Sequence, residues 1–340
     1  MSYIELYGLI RSPSYHQGKA ILKGLHSEVR GFSEGMFETD WEIFQQKKRN
    51  KIEPSLETII YVDGIYLGST SDLISLAIEK YKYIESGNQA LYLAEAESSY
   101  IQMVSSPSKR YILWHIKIGE GPEKKVVLEL DLQNCPRTCE NFWQLANGYK
   151  DLSYQGSTIH RVVPDGYIEG GFIQTPSGKS HNSIYGEFFD DENYSFEHNR
   201  MGVVGMSKFG RGQNGSVFYI TLRPLPHLNG RMVGFGRVIE GMDVIRNIAA
   251  LPANSQRPVM TVLITKSQDY LKILMPTANE SRPKSHKYHG SSKLENADME
   301  TLVQRRVDIL KEIDVCKQEL EQQKAIRNMI SEMIASMTSD

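Results

Sequence analysis

The chain has 340 residues, enough for two domains, with a net charge of −2 and a pI near 6.5. This near-neutral balance gives no electrostatic case for binding nucleic acid or an anionic membrane. Three cysteines cannot make a disulfide framework, which favours a reducing compartment. The first residues show no leader-like pattern, and no apolar run approaches the ~20 residues of a membrane span. We therefore expect a cytoplasmic protein without a membrane or nucleic-acid partner.

The first 88 residues alternate strand and helix patterns. Tyr3 to Ile10 predicts a buried strand, and residues 17–29 predict a helix. The stretch I-I-Y-V-D-G-I-Y-L predicts a hairpin, because Asp63-Gly64 suits a two-residue type I′ turn. Ser71 is predicted to cap the helix that follows.

This order of elements, with I-Y-V-D-G-I-Y-L-G-S-T-S-D-L at Ile60 to Leu73, resembles a glutaredoxin. The resemblance implies an α/β thioredoxin-like domain over residues 1–88. A thiol–disulfide enzyme needs a low-pKa cysteine at the N-terminus of the helix that follows the first strand. Arg11 to Tyr15 stand at that place, with serines where the cysteines would be. We therefore predict a binding or docking domain without redox chemistry.

Two stretches are predicted to separate the domains of this multi-domain chain. Residues 89–109, which contain S-S-Y and S-S-P-S, are predicted to be a linker or the end of a helix. Residues 271–298 read as a flexible connector, because from Pro276 onward they are rich in Ser, Pro, Lys, Asn and His and poor in apolar residues. A second domain is predicted between them, over residues 110–270.

Residues 299–338 return to a helical pattern. Their apolar residues form two stripes that are out of register: Met299, Val303, Leu310, Ile313 and Leu320, then Ile326, Ile330, Met333 and Met337. A continuous helix over this stretch would reach ~58 Å, too long to fold back on one small domain. We therefore predict a long amphipathic interaction helix that binds a helical protein partner, either its own copy or another protein. A tail that is helical only in part is the alternative.

The middle of the chain carries several motif blocks in a fixed order. They are G-S-T-I-H-R-V-V-P from Gly156, S-I-Y-G-E-F-F-D-D-E-N from Ser183, H-N-R-M-G-V-V-G-M-S-K from His198 and Q-N-G-S-V-F-Y-I-T ending at Thr221. Together they resemble the cyclophilins, the β-barrel family of peptidyl-prolyl cis-trans isomerases. The resemblance implies a mainly-β, eight-stranded barrel of two orthogonal sheets with capping helices. With the glutaredoxin-like region, the chain is similar to the peptidyl-prolyl isomerase-like protein 6 group, which implies a place in a cilium or axoneme.

Isomerisation of an X-Pro bond must overcome a barrier of ~18–20 kcal/mol that arises from amide resonance. A catalyst holds the proline in an apolar slot and places a cation near its ring nitrogen, so it needs no metal, cofactor or nucleophile. In the family this cation is the arginine of an F-H-R motif. The resemblance makes Arg161 the predicted catalytic residue, with a structural arginine that ties strands together as the alternative. His160 is predicted to be a hydrogen-bonded core histidine, because the reaction transfers no proton.

The other pocket positions implied by the resemblance depart from the family pattern. Gly166 replaces the aromatic floor of the slot, and Tyr167 replaces a methionine and is expected to refill part of the void. Glu169 replaces a glutamine, so we expect a bidentate pair that holds the Arg161 guanidinium away from substrate. The remaining predicted pocket residues are Ser207, Val217, Tyr219, His227, Leu228 and Met232. Of these, Leu228 matches the family and Tyr219 keeps an aromatic ring.

Two functions follow as alternatives. The leading prediction is a structural or assembly component that binds a proline-containing peptide or protein segment with weak or absent isomerase activity. Loss of apolar contact at two walls costs a few kcal/mol at ~25 cal/mol per Å², and each ~1.36 kcal/mol is tenfold in rate. The alternative is an active isomerase that assists protein folding. Cys135 and Cys139 are predicted to be buried structural thiols, because two further zinc ligands are lacking.

Overall fold

The computed structural model of the protein describes residues 1–48, 56–84, 87–173 and 182–275. Residues 276–298 of the connector predicted over 271–298, and the predicted helix over residues 299–338, lie outside the described residues and stay predictions. Cys316 lies outside them as well. The first residues of that connector are helical instead, because a short helix spans Tyr270–Leu274. None of the described helices has the length and apolar character that crossing a membrane requires.

The N-terminal unit contains a four-stranded sheet in the order β2-β1-β3-β4. Its strands are β1 (Ser2–Leu9), β2 (Val29–Met36), β3 (Thr58–Val62) and β4 (Ile65–Gly68), and its helices are α1 (Pro13–Gly24), α2 (Glu38–Lys47) and α3 (Thr70–Tyr81). β2 runs parallel to β1, whereas β3 is antiparallel to both β1 and β4. Residues of α1 and α3 pack with β1 in one core cluster, and Trp41 of α2 packs in another. The N-terminal region is therefore an α/β unit, as predicted.

Of the local predictions in this unit, the turn is confirmed, whereas one helix start and one helix cap differ from the structure. Asp63 and Gly64 have φ of 51° and 79°, as a type I′ turn requires, so the hairpin prediction is confirmed. Helix α1 begins at Pro13, earlier than predicted, because proline suits the first helical position. The predicted cap at Ser71 is wrong: Ser69 caps α3, and its backbone N–H donates to the Asp72 carboxylate at 2.7 Å in a reciprocal capping box.

A helix occupies most of the predicted linker over residues 89–109. It is α4 (Gln89–Val104), and the Asn88 side chain accepts a hydrogen bond from the Leu91 N–H at 2.8 Å at its start. Its residues 92, 96, 100 and 104 are buried. A spacing of four residues places them on one face of the helix, which packs on the rest of the molecule. Residues 89–104 of the predicted linker are therefore a packed helix.

The second unit is built on eight antiparallel strands in the order β14-β5-β6-β11-β9-β10-β8-β7. These strands are β5 (Lys109–Ile118), β6 (Lys124–Asp131), β7 (Ile159–Val163), β8 (Tyr167–Gly170), β9 (Val203–Lys208), β10 (Asn214–Thr221), β11 (Gly234–Glu240) and β14 (Val262–Asp269). Two short strands, β12 (Ala253–Asn254) and β13 (Arg257–Pro258), pair separately. The helices are α5 (Pro136–Asn147), α6 (Met242–Ala249) and α7 (Tyr270–Leu274), with a 3₁₀ turn at Pro226–Leu228.

The eight strands form one continuous curved sheet rather than the two sheets that were predicted. Its two ends approach each other beside β7, where Gly156 N–H donates to Ile264 O at 2.8 Å and Ile264 N–H donates to Ser157 O at 2.9 Å. The eight-stranded, mainly-β prediction is confirmed. The inner face holds one large apolar cluster that includes Trp114, Phe142 and Phe218.

Helix α5 closes this core, with Cys139 in its first turn and Cys135 as the residue just before it. Cys135 and Cys139 are fully buried free thiols, and each donates to a backbone carbonyl, Gly234 O and Phe235 O respectively, at 3.5 Å. Burial raises the pKa of the Cys135 thiol to about 12 and raises that of Cys139 as well. Both therefore stay protonated at neutral pH and act as packing residues, as predicted.

A charged cluster joins the two units. Arg237 of β11 donates from Nη1 to both carboxylate oxygens of Asp40 of α2 at 2.9 Å. Arg237 also donates from Nε to Glu129 at 2.9 Å, and Asp40 pairs with Arg200. Beside this cluster Phe37 packs on aromatic rings from α4 and β5. Paired charges and apolar contacts therefore both cross the boundary between the units.

We expect Asp40→Ala to weaken the joint stability of the two units. The change leaves Arg237 and Arg200 without their N-terminal partner, and loss of one member of a buried ion pair is costly because a charge is left uncompensated. Since the Asp40 side chain is 21% exposed, we expect a loss of about 2 kcal/mol or more in unfolding free energy. Urea unfolding followed by tryptophan fluorescence and circular dichroism measures it.

The matched control is Asp151→Ala, which removes an exposed carboxylate from the second unit. Its urea midpoint should stay within experimental error of the parent protein. Equal midpoints for Asp40→Ala and the control would show that the charged cluster contributes nothing to the contact between the units.

Candidate functional site

Strand register aligns the central residues of the predicted site in one row. Arg161 of β7 pairs with Glu169 of β8, Glu169 pairs with Tyr219 of β10, and Tyr219 pairs with Gly205 of β9. Residues paired across antiparallel strands project to the same face of a sheet. The row lies on the outer face, because the alternate positions, such as Ile168 and Phe218, are in the inner core.

Arg161 is held by neighbours from three directions. Its Nε donates to Gln256 Oε1 at 2.7 Å, its Nη1 lies 3.6 Å from Glu169 Oε2, and its guanidinium lies 5.9 Å from the Tyr167 ring centroid. Its side chain is 41% exposed, so part of the cation still faces solvent. Gln256 was missed by sequence reasoning. It stands 95 residues further along the chain in the turn between β12 and β13, and no motif marks it.

Glu169 is a buried carboxylate whose two oxygens are both engaged. Oε1 lies 3.2 Å from His160 Nε2, and Oε2 accepts from the Ser207 hydroxyl at 2.7 Å. Burial by itself raises the pKa of Glu169, but the hydrogen bonds from His160 and Ser207 and the charges of His160 and Arg161 outweigh it. The pKa of Glu169 is therefore below its ordinary value, and the carboxylate is ionised at neutral pH.

The predicted bidentate pair between Glu169 and Arg161 is not formed. A single contact of 3.6 Å joins them, because His160 and Ser207 already occupy the carboxylate oxygens. An ionised carboxylate only accepts, so the Nε2 of His160 carries the proton that it shares with Glu169. His160 is half-buried and lies at the edge of the site, rather than in the core as was predicted.

Tyr167 lies over the aromatic ring that remains in the pocket. The ring centroids of Tyr167 and Tyr219 are 5.5 Å apart, and Tyr219 is 1% exposed. Gly166 is buried before it, and an added Cβ would come within 3.0 Å of the Val163 side chain. Tyr167 therefore contacts both Arg161 and the buried ring of Tyr219, and its filling of the predicted void stays a prediction.

The hydroxyl that distinguishes Tyr219 from a phenylalanine has a buried partner. It lies 2.6 Å from His198 Nε2, while His198 Nδ1 lies 3.0 Å from Asn229 Oδ1. Because Asn229 Oδ1 can only accept, Nδ1 carries the ring proton and Nε2 accepts from the tyrosine. Burial lowers the pKa of His198, so the ring is neutral. Sequence reasoning missed both residues, although a buried tyrosine hydroxyl always needs a partner.

Asn229 also ties the loop before β11 to the site. The His198 backbone N–H donates to the Asn229 side chain at 2.8 Å, and the Leu225 N–H donates to His198 O at 2.8 Å. Of the predicted pocket residues in this loop, His227 is exposed whereas Leu228 and Met232 are half-buried. Val217 is buried on β10. Within the described ranges no three His, Cys, Asp or Glu side chains are grouped so as to hold a metal ion.

Comparison with known proteins agrees with this fold. Residues 114–269 match the family described as Cyclophilin type peptidyl-prolyl cis-trans isomerase/CLD. The chain belongs to the cyclophilin-type peptidyl-prolyl cis-trans isomerase family.

Individual relatives are similar to this chain over different lengths, some of them beyond this domain. The chain is 32% identical over 283 residues to the Homo sapiens protein named "Probable inactive peptidyl-prolyl cis-trans isomerase-like 6". The aligned region covers 78% of this chain and 91% of that protein. The Bos taurus protein of the same name is 32% identical over 281 residues, with 78% and 92% covered. The Mus musculus NK-tumor recognition protein is 37% identical over 189 residues, 50% of this chain and 13% of that protein. The first two similarities extend beyond the barrel and confirm the resemblance to the isomerase-like 6 group.

We expect Tyr219→Phe to destabilise the protein although it restores the family's ring. The change leaves His198 Nε2 buried without a donor, and an unsatisfied buried acceptor costs about 1–3 kcal/mol. Thermal and urea unfolding measure the loss. Tyr194→Phe is the control, because that hydroxyl bonds Asp191 at the surface and its loss should be nearly neutral. A neutral Tyr219→Phe would contradict the assigned hydrogen bond.

Stability should fall as pH falls below about 6.5, the ordinary pKa of a histidine. In the unfolded chain His198 and His16 take up a proton near that pH, whereas burial lowers their pKa in the folded protein. The unfolded state then binds more protons, so acid favours it. His198→Gln should reduce the slope of unfolding free energy between pH 7.5 and 5.5, and the exposed control His26→Gln should not. Identical slopes for both variants would refute this assignment.

Proposed function

We propose that the cyclophilin-type domain of this protein binds proline-containing peptide segments as part of an assembly, with weak or absent isomerase activity. The observation that carries this proposal is the ionised, buried Glu169 beside the one cation of the predicted pocket. Catalysis needs that cation to donate to the prolyl nitrogen in the twisted transition state. A fixed carboxylate beside it competes for the same positive charge.

The size of this competition follows from the distance. Two unit charges 4 Å apart attract by about 1 kcal/mol in water and about 4 kcal/mol at an effective dielectric of 20. The pair lies between these limits, because Arg161 is 41% exposed and Glu169 only 11%. Each ~1.36 kcal/mol lost from transition-state stabilisation is tenfold in rate. We expect this contact alone to slow turnover by about ten- to a hundredfold.

The aromatic part of the site supports the same proposal. The ring of Tyr167 lies against Tyr219 in the region where a proline ring would be received. Substrate has to displace that contact or bind without it. The relatives in Homo sapiens and Bos taurus carry the words "probable inactive" in their names, which agrees with weak or absent activity here.

An active isomerase that assists folding is the second candidate. It is supported by the presence of Arg161, whose side chain is partly exposed, and of an aromatic ring at Tyr219. The two candidates differ in turnover and agree in peptide binding. Attachment to an assembly through residues 299–338, and a location in a cilium, axoneme or cytoplasm, stay part of the proposal.

We expect the full chain to accelerate isomerisation of a proline tetrapeptide little over the uncatalysed rate in a protease-coupled assay. The triple change Gly166→Phe, Tyr167→Met, Glu169→Gln should raise kcat/KM at least about tenfold, because it restores a wall and frees Arg161. Glu197→Gln is the control for removal of an exposed carboxylate and should change nothing. Turnover by the parent chain at the rate of an ordinary isomerase would overturn the leading function.

Peptide binding is measured separately on the same samples. Calorimetry with a longer proline-containing peptide should show binding to the parent chain and its loss in Arg161→Ala. If neither the parent chain nor the triple variant binds the peptide, the peptide-binding role itself is refuted.

A further inference from the structure

The outer edge of β2 is an open strand edge next to a groove. β2 is the end strand of its sheet, and in the part of the chain that the structure describes only β1 pairs with it. The ladder between them runs without a register shift from Ser2 and Val29 to Leu9 and Met36. The sequence V-R-G-F-S-E-G-M contains neither proline nor lysine, and its protection as an edge is limited to the charged side chains of Arg30 and Glu34.

A groove of about 900 Å³ lies along this edge, between β2 and helices α1 and α4. Its apolar lining includes Leu22, Val29 and Tyr92. Gly31 keeps the β2 side open: an added Cβ would point at Leu22, at 3.4 Å. The neighbouring Phe32 also borders the groove, but its ring contacts Tyr7 on the other face, as strand alternation requires.

The charged side chains at the rim of the groove indicate which charge a bound ligand would carry. Lys19 and Lys23 of α1 line the groove and are exposed, and so is His26. Glu95 of α4 is the one carboxylate among the lining residues. Because the ammonium groups outnumber the carboxylate, an acidic ligand is favoured over a basic one.

We propose that an extended acidic peptide segment of a partner protein adds to β2 as a fifth strand of the N-terminal sheet. The main chain of the peptide would pair with the open edge of β2, which is the source of affinity in strand addition. Every second side chain would point into the groove, where glutamate methylenes lie on the apolar floor and the carboxylates reach Lys19 and Lys23. This site is independent of the proline pocket.

The test uses the full chain and a fluorescein-labelled peptide of about ten residues that alternates glutamate with threonine, a length that spans one strand. Fluorescence polarisation should show salt-dependent binding, and a peptide with lysine in place of glutamate should not bind. Hydrogen–deuterium exchange should show new protection in residues 29–36. The opposite edge strand, β4, is the internal control and should show none.

Two variants locate the site. Lys19→Glu with Lys23→Glu should weaken binding by at least about tenfold, whereas Lys124→Glu with Lys125→Glu on the barrel should not. Gly31→Val should abolish binding, because its side chain fills the groove at ordinary contact with Leu22 and suits a strand. An unchanged circular dichroism spectrum confirms that this variant folds.

Other outcomes would overturn the proposal. Protection of residues 29–36 without peptide, together with a doubled mass in light scattering, would assign the edge to a second copy of this chain. Binding by a chain that lacks residues 276–340, but not by the full chain, would assign the groove to its own C-terminal residues. No binding by either would show that the groove takes no acidic strand.

Discussion

A buried, ionised carboxylate at the centre of the outer sheet face organises the polar side chains around it. The register of β7, β8 and β10 places Glu169 between Arg161 and Tyr219, and burial then obliges the carboxylate to find donors. It takes them from His160 and Ser207 and draws on the charge of Arg161. Under the function proposed here, these donors would otherwise face a substrate and are used within the protein instead. The proposal therefore assigns the loss of activity to one carboxylate side chain that the site itself satisfies.

A buried charge also has to find partners at the contact between the two units, with a different result. Arg237 lies between Glu129 and Asp40, and the charges of these carboxylates outweigh burial and raise its pKa. There the paired charges hold α2 against the barrel. Near Arg161 a pairing of similar chemistry is, in the function proposed here, what weakens the contact of a cation with substrate. Whether a buried ion pair supports architecture or suppresses chemistry depends on what the cation would otherwise contact.

The N-terminal end of α1 faces the barrel. Arg11, just before this helix, lies 4.0 Å from the Tyr100 ring centroid and pairs with Glu240 of β11, while the Ser12 hydroxyl donates to Glu57 at 2.6 Å. This end of α1 therefore serves packing between the units. In the part of the chain that the structure describes, β2 at the edge of the same sheet pairs with β1 alone.

Local signals in the sequence were sufficient for much of the fold. The turn at Asp63-Gly64 was predictable because few residue pairs tolerate two positive φ angles, and the barrel followed from motif blocks that kept their order. Helix α4 was not predicted, since its serines and tyrosines hide the spacing of its buried face. The cap of α3 was misplaced by two residues because Ser69 and Ser71 offer the same local chemistry, and only the reciprocal bond with Asp72 separates them.

The amino-acid sequence by itself determined the family and the α/β and barrel units, because those depend on local patterns and residue types, and the pocket residues that it indicates stay predictions. The tertiary structure decided how the altered residues satisfy one another. Gln256 reaches Arg161 across 95 residues, and His198 reaches the Tyr219 hydroxyl across 21. Such pairings are set by strand order and burial, which bring together residues that no spacing in the chain relates.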